Sequence, residues 1–147
     1  MAELLDAQGA ALSDDWADLP RAAELTQAEA ARWVLAPENT VDPDAIELPL
    51  PPGCVGIELT LPKFTDGRAY SQARRLRERG YAGPLRASGE VLVDQALLLR
   101  RCGFDQLALA EGESVDAVRM ALAAFAAAYQ PSAADEGLKS RRGAAPA

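Results

Sequence analysis

Histidine does not occur among the 147 residues of this sequence. Its absence excludes Ser-His-Asp and Cys-His nucleophilic catalysis, histidine-ligated haem and the common histidine metal sites. Any proton transfer would have to use carboxylates, Lys63, tyrosines or cysteines. No other feature of the composition restricts the possible chemistry as strongly.

Cysteine is scarce, and long apolar runs are missing. Cys54 and Cys102 lie far apart and form no CxxC pair, so the sequence predicts free thiols and no structural zinc site. No apolar run approaches the ~20 residues that span a bilayer. The acidic segment at 1–16 lacks the basic and continuous apolar regions of a signal peptide. We therefore expect a cytoplasmic protein with no membrane partner.

Cofactor motifs are missing as well. The sequence contains no GxGxxG pattern and no P-loop, and nothing in it indicates a nucleotide or an iron–sulfur cluster. We expect no cofactor and no bound metal.

Acidic and basic residues are unevenly distributed along the chain. The net charge of −7 combines an acidic stretch at 1–62 with a basic island at 63–86, which holds seven basic and two acidic residues. Such an island indicates an anionic small molecule or an acidic partner surface. Nucleic acid is disfavoured, because the acidic majority would repel its phosphates. The simpler interpretation is a solvated helix face, which the scattered positions of Arg75, Arg77 and Arg79 favour.

The chain has room for one domain with a sizeable core. Residues 1–44 are interpreted as an N-terminal lead-in that is partly mobile, and residues 45–130 as an α/β domain. Within it, 45–50 alternate apolar and polar side chains around a proline, which predicts an edge strand. Residues 131–147 are small and polar, and predict a disordered tail.

Strand and helix patterns alternate in the second half of the chain. Short connections between them predict a small, mostly parallel sheet built from right-handed βα units. A partial βα barrel made from the same units is the alternative. Three β-rich runs are each followed by a helical pattern: 55–61 by 68–79, 83–88 by 91–102, and 106–110 by 114–129.

A weak internal repeat supports this organisation. RERGYAGPLRASGE (77–90) aligns without gaps on RRCGFDQLALAEGE (100–113). Each copy is interpreted as a helix end, a glycine stop, an aromatic residue, a strand and a Gly-Glu turn. One α-to-β-to-α step is thus used twice.

The densest set of polar side chains follows the first of these strands, in KFTDGRAYS (63–71). In parallel α/β sheets, ligands bind at the carboxyl ends of the strands, where this turn is expected to lie. A helix N-terminus attracts anions, and the planar fork of arginine binds oxyanions. The turn therefore predicts a binding site for an anion or a partner, with these residues: Lys63, Thr65, Gly67, Arg68, Tyr70 and Ser71.

Asp66 in the same turn is a candidate catalytic acid or base. The alternative is structural: Thr65 or Asp66 caps the helix, and Gly67 satisfies a turn with positive φ. A cap requires one polar residue and not six, which favours the functional interpretation.

The next strand-to-helix turn supplies further candidates. Arg86 reaches the same edge if its side chain faces the correct side, and Gly89 lies in the turn itself. Glu90 is the second candidate acid or base, and it stands four residues from Asp94, so like charges would disfavour ionisation of both. Gln95 completes the binding candidates. The structural alternative is that first-turn acids complement the helix dipole.

Five segments together resemble a known family. Its recurring elements match FTDGRAYS (64–71), LRER (76–79), GPLRASG (83–89), VLVDQ (91–95) and RCGFD (101–105). The chain resembles the proteobacterial domain-of-unknown-function family 934. Members are often described as oxidoreductases involved in sulfite reduction, and they are typically encoded beside the haemoprotein subunit of sulfite or nitrite reductase.

The resemblance spans 63–105 and departs from the family pattern at two points. Members commonly carry an aromatic residue before the glycine at Gly80 and an aspartate where Glu90 stands. The resemblance implies assimilatory sulfur metabolism, with the reductase haemoprotein as a partner. The chain would then be an accessory protein or an oxidoreductase of sulfite reduction, with a basic strand-end site for an oxyanion or for the reductase.

The alternative function is a small non-redox enzyme that acts on an anionic metabolite. Arg68 and Arg86 would clamp the anion, and Asp66 or Glu90 would serve as acid or base. A redox enzyme in the strict sense is the least favoured, because it would have to hold a flavin or nicotinamide without a recognisable motif.

Overall fold

The computed structural model describes residues 3–27, 30–63 and 66–125. These residues form six strands: β1 (Leu4–Asp6), β2 (Arg21–Ala22), β3 (Trp33–Leu35), β4 (Cys54–Leu61), β5 (Leu85–Gly89) and β6 (Gln106–Ala108). They also form three α-helices: α1 (Arg68–Glu78), α2 (Ala96–Cys102) and α3 (Val115–Phe125). Short 3-10 helices occur at Leu25–Gln27, Pro43–Ala45 and Val93–Gln95.

The strands form one sheet in the order β1-β6-β5-β4-β3-β2. From β2 to β6 the strands lie side by side in chain order, and each neighbouring pair is parallel. β1 runs antiparallel to β6. The predicted α/β class with a mostly parallel sheet is confirmed, and this sheet is open, with β1 and β2 at its edges, rather than closed into a barrel.

The alternation along β4 explains how the helices pack on the sheet. Ile57, Leu59 and Leu61 are fully buried, whereas Glu58 is half-buried and Thr60 is exposed. Successive strand residues point to opposite faces, so the three apolar side chains share one face. That face packs in a single core with these helical residues: Ala69, Ala73 and Leu76 of α1, Ala96 and Leu99 of α2, and Val118 and Leu122 of α3.

A crossing segment that carries Asp14 and Trp16 lies against the opposite face of the sheet. Arg86 of β5 points to this face, since its neighbours Leu85 and Ala87 point to the core. Its guanidinium lies 4.2 Å from the ring centroid of Trp16 and 2.9 Å from Asp14 Oδ1. Trp16 is buried, so the crossing segment is fixed to the sheet by a stacked arginine and an ion pair.

The first 44 residues contribute three strands to the sheet. The domain boundary predicted at residue 45 falls between β3 and β4, which are hydrogen-bonded neighbours. β1 and β2 lie in no alternating run of the sequence, and the segment at 31–36, which contains β3, fits a helix end as well as a strand. The segment interpreted as a lead-in thus supplies both edges of the sheet.

The edge strand predicted at 45–50 is wrong. Pro43–Ala45 is a 3-10 helix, and no strand follows before β4. Proline has no N–H to donate to a strand ladder, and this region is rich in it. The carbonyl oxygens of Pro43 and Ile46 instead accept hydrogen bonds from Arg79 Nη1, at 2.6 and 2.7 Å.

The later elements follow the predictions closely. β4, β5, β6 and α1 lie where the patterns place them, and α2 is shorter because Val93–Gln95 is a 3-10 turn. Ser114, the first residue of the helical pattern at 114–129, accepts a hydrogen bond at Oγ from the Ala117 N–H at 3.2 Å and so caps the start of α3. The predicted continuation of α3 to Tyr129 and the tail at 131–147 lie outside the described residues.

The internal repeat has a matching backbone. Gly80 and Gly103 follow α1 and α2 with φ of +96° and +107°. At the other end of the repeat, Gly89 is the last residue of β5 and Gly112 lies in the turn after β6, with φ of +87° and +85°. Glycine adopts these angles without the strain that a Cβ imposes. Within the described residues, no helix combines the length and apolar character needed to cross a bilayer.

Candidate functional site

An open groove of about 790 Å³ lies between the loop after β3 and the start of α1. Because β3 and β4 are parallel neighbours, the segments that follow them meet at the carboxyl edge of the sheet. We call this cavity the strand-end groove. It is lined by Asn39, Thr40, Val41, Pro43, Gly67, Arg68, Ser71 and Gln72.

Asp66 ties the two walls of the groove together. Arg68 donates to it from both edges of its fork, with Nε 3.1 Å from Oδ1 and Nη2 2.8 Å from Oδ2. The Arg68 backbone N–H also donates to Oδ1 at 3.0 Å. From the opposite wall, Asn39 Nδ2 donates to Oδ2 at 2.7 Å. One carboxylate thus receives four hydrogen bonds and positions both Arg68 and the loop.

These donors stabilise the charged form of Asp66. The side chain of Arg68 is the largest cause, followed by its backbone N–H, and together they lower the pKa of Asp66 to about 2. A carboxyl group with that pKa is ionised at neutral pH and is a weak base. Asp66 is therefore better suited to hold Arg68 than to transfer a proton, and its catalytic role stays a prediction.

Arg68 keeps hydrogen-bonding capacity for a ligand. Its side chain is 57% exposed, and only Nε and Nη2 donate to Asp66. A guanidinium has five N–H groups, so about three are left over. Arg68 is also the one charged side chain among the described residues that line the groove.

Gln72 lines the groove and is only 3% exposed. Its Nε2 donates to the carbonyl oxygens of Glu38 and Val41, at 3.0 and 2.9 Å. Its Oε1 is buried and has no hydrogen-bond partner in the part of the chain that the structure describes. Since buried polar atoms are nearly always bonded, this oxygen marks a place for a donor.

The other residues of the predicted turn occupy simpler positions. Gly67 is the N-cap of α1 with φ of −87°, so the positive φ considered for it is wrong. Asp66 precedes the N-cap position, but its carboxylate accepts the N–H of Arg68, the first residue of α1. Ser71 is exposed on the groove wall, and Lys63 is exposed at the end of the β4 turn. Thr65 lies outside the described residues.

Tyr70 faces a different part of the molecule from the groove. It is half-buried and packs against the hydrophobic core. Burial is the main cause that raises the pKa of its hydroxyl, and nearby Cys102 adds to it. The structure therefore does not place this predicted binding residue among the groove residues.

Arg86 is on the other face of the sheet and only 3% exposed. Besides Trp16 and Asp14, it lies 3.8 Å from Glu58 and donates from Nε to Gln106 Oε1 at 3.0 Å. Strand alternation alone sends it there, because the adjacent side chains face the core. The clamp of Arg68 and Arg86 considered for an enzyme therefore has no geometric support.

The residues predicted in the second turn are dispersed. A Cβ on Gly89 would collide with the carbonyl oxygen of Leu61, so close strand packing accounts for this glycine. Gln95 Oε1 accepts a backbone N–H at the start of its own turn. Asp94 borders a separate depression of about 380 Å³ between α2 and α3, and Glu90 is exposed after β5. None of these four lines the strand-end groove.

Much of the basic island is used inside the molecule. Arg77 donates to three carbonyl oxygens at 2.8–2.9 Å, and Arg79 donates to two. Their side chains are 15% and 22% exposed, so the solvated face predicted for them is wrong. Arg75 is exposed as predicted and pairs with Asp44 at 2.6 Å. The carbonyl acceptors are those of Tyr81, Gly83 and Gly103 for Arg77, and of Pro43 and Ile46 for Arg79.

The two cysteines are free thiols, as predicted. Burial raises the pKa of both Cys54 and Cys102, so neither is activated as a thiolate. Across 3–27, 30–63 and 66–125, no group of three histidine, cysteine, aspartate or glutamate side chains is placed to hold a metal ion.

Five residues that line the groove are not predicted from the sequence: Asn39, Thr40, Val41, Pro43 and Gln72. Asn39 and Thr40 lie in a loop between prolines, and nothing in that local pattern indicates contact with α1. Gln72 follows Arg68 by four residues, which places both on one face of the helix. That spacing is the one signal by which the sequence could have identified it.

The comparison with protein families covers more of the chain than the motifs at 63–105. The model of a family described as "Bacterial protein of unknown function (DUF934)" matches residues 36–138, which include every residue that lines the groove. No curated protein and no solved structure gives a significant match. Since the match spans more than half of the sequence, this chain belongs to the DUF934 family of bacterial proteins of unknown function.

Proposed function

We propose that this chain is an accessory protein of assimilatory sulfite reduction and that its strand-end groove binds a small oxyanion. The observation that carries the proposal is the state of Arg68, which Asp66 holds at the start of α1 with N–H groups left for a ligand. The fork of an arginine matches oxyanions, and a helix N-terminus adds positive potential. The assignment to sulfite reduction is based on the family resemblance. The groove supports it because its donors suit an oxyanion.

A small ligand is favoured over a broad electrostatic docking surface. Arg77, Arg79 and Arg86 donate their hydrogen bonds to acceptors within the molecule, so they add little to the positive potential at the surface. Arg75 is paired with Asp44. The charge that remains at the carboxyl edge is concentrated at Arg68 and Lys63.

Binding is favoured over proton-transfer catalysis. The pKa of Asp66 is lowered to about 2, and its two oxygens already accept four hydrogen bonds. Glu90, the second candidate acid or base, does not line the groove. These positions support a protein that holds an anion without transforming it.

Deleting the gene tests the pathway. We expect growth on sulfate as the sulfur source to fail and growth on cysteine to survive. Normal growth on sulfate would contradict the assignment to sulfite reduction. A pull-down with the reductase haemoprotein at low and moderate salt tests the partner separately, and no salt-sensitive association would exclude electrostatic docking.

Thermal unfolding with added sulfite tests the groove. A ligand at 100 times its Kd stabilises the folded protein by ~2.7 kcal/mol, which is easily measured. The Arg68→Ala variant should lose this stabilisation, whereas Arg32→Ala should keep it, because Arg32 is exposed and lies outside the groove. If sulfite stabilises the two variants equally, Arg68 has no special part in binding, and the strand-end groove is not the sulfite site.

A further inference from the structure

One residue that lines the strand-end groove, Gln72, carries an unusual group for an anion site. Oxyanions are normally surrounded by hydrogen-bond donors. Gln72 Oε1 is an acceptor, it is buried, and it has no partner among the described residues. A ligand that fills the groove must therefore either supply a donor to this oxygen or leave it unpaired.

The orientation of the Gln72 amide is fixed by the opposite wall. Its Nε2 lies 3.0 Å from the Glu38 carbonyl oxygen and 2.9 Å from that of Val41. A flipped amide would set Oε1 against these two acceptors and lose both hydrogen bonds. The unpaired oxygen is thus a feature that the loop imposes, and rotation of the amide cannot remove it.

We propose that the groove binds a monoprotonated oxyanion, whose O–H donates to Gln72 Oε1 while its other oxygens accept from Arg68 and Ser71. This inference rests on the proposed function in one respect, that the ligand of the groove is an oxyanion. Arg68 and Ser71 are exposed on the same wall, one turn of α1 apart, and both are donors. The O–H of the ligand then donates to Gln72 Oε1, and the other oxygens of the ligand accept from Arg68 and Ser71.

Access to Gln72 Oε1 requires movement of the side chains that surround it. Its Oε1 has almost no accessible surface in the free protein. Arg68 and Ser71 are both exposed, so rotation of their side chains is not blocked by packing. Ligand binding should therefore change the environment of the Gln72 amide as well as that of Arg68.

Inorganic phosphate and sulfate are matched probes for this requirement. They have similar size and shape, but phosphate carries at least one proton near neutral pH and sulfate carries none. Sulfate would set a lone pair against Gln72 Oε1 and leave the acceptor unsatisfied. We expect phosphate to bind at least about tenfold more tightly than sulfate, the ratio that an unpaired buried acceptor produces.

The experiment is calorimetric titration of the full chain with each ion at equal ionic strength. It is paired with nuclear magnetic resonance of the Gln72 side-chain amide. A phosphate preference together with a phosphate-induced shift of that amide supports the inference. Equal binding of the two ions overturns it and leaves the groove as an oxyanion site. No binding of either ion overturns it together with the groove, whereas the growth phenotype still tests the pathway.

A variant sharpens the result. Gln72→Lys keeps a donor toward the carbonyl oxygens of Glu38 and Val41 and removes the acceptor. It should lose the preference for phosphate and gain affinity for sulfate, while Arg32→Ala keeps the preference. If Gln72→Lys folds and still prefers phosphate, the inference is wrong. If it does not fold, the ion selectivity of the unmodified chain decides.

Discussion

The two ends of helix α1 use arginine in opposite ways. At the amino end, Arg68 is 57% exposed and binds one carboxylate, Asp66, on the surface. At the carboxyl end, Arg77 is 15% exposed and binds three backbone carbonyl oxygens. Carbonyl groups are left unpaired at helix ends and in the loops that follow them, so a nearby guanidinium is drawn inward. The number of basic residues in a segment of the sequence therefore does not give the positive charge exposed at the surface of the protein.

The largest expected effect follows from the most buried arginine, Arg86. Its replacement in Arg86→Ala removes the ion pair with Asp14 and the stacking on Trp16, and we expect a loss of about 3 kcal/mol in the free energy of unfolding. Urea denaturation measures it. Arg86→Lys should lower the free energy of unfolding by less, because lysine keeps the positive charge beside Asp14 and loses only the planar stacking on Trp16. A loss as small as that of an exposed arginine would contradict the internal role of Arg86.

A smaller loss is expected at the carboxyl end of α1. Arg77→Ala leaves the carbonyl oxygens of Tyr81, Gly83 and Gly103 without this donor and should cost about 2 kcal/mol. Denaturant unfolding gives the value, and amide hydrogen exchange should increase in the loop after α1.

Two variants on the same helix serve as controls for Arg77. Arg77→Lys should recover little, because a single ammonium group lacks the fork that reaches three acceptors. Arg75→Ala should leave the unfolding midpoint nearly unchanged, since Arg75 is exposed. If Arg75→Ala and Arg77→Ala are equally destabilising, the distinction between the inner and outer arginines fails.

The smallest effect is expected from the pair at the amino end, and it depends on pH. The pKa of Asp66 is lowered to about 2, chiefly by Arg68, whereas an unfolded aspartate has a pKa of about 3.9. The stabilisation from this pair is therefore fully present above about pH 4 and is lost as the pH falls towards 2.

Carboxyl resonances followed during an acid titration measure this pKa directly. In Arg68→Ala, the pKa of Asp66 should rise towards its ordinary value, because the first cause of the shift is gone. Lys63→Ala is the control and should leave the pKa unchanged, because Lys63 is not a cause of the shift. An unaltered pKa in Arg68→Ala would mean that other groups hold the carboxylate.

The sequence predicts the part of the fold that has local periodicity. β4 is eight residues long and α1 is eleven, so alternation and helical spacing can be recognised in each. β2 has two residues and β3 has three, and neither lies in an alternating run, whereas the three residues of β6 lie in the alternating run at 106–110. The strand character of β2 and β3 comes from pairing with distant neighbours, and a sequence window cannot contain that information.

The same distinction applies to the candidate site. The turn at 63–71 was located correctly at the carboxyl edge, because parallel topology alone determines that edge. The opposite wall is not predicted, since Asn39 and Asp66 are separated by 27 positions in the sequence. The destinations of Arg77 and Arg86 also depend on acceptors that only the folded chain brings near.

The pairing of β1 with β6 has a consequence for synthesis on the ribosome. Leu4 is synthesised 104 residues before Ala108, its partner in the sheet. While the nascent chain grows, the apolar Leu4 and Leu5 have no strand to join, although both are buried in the finished protein. The parallel strands β2 to β5 can pair before that point, but β1 can join the sheet only after β6 has been translated.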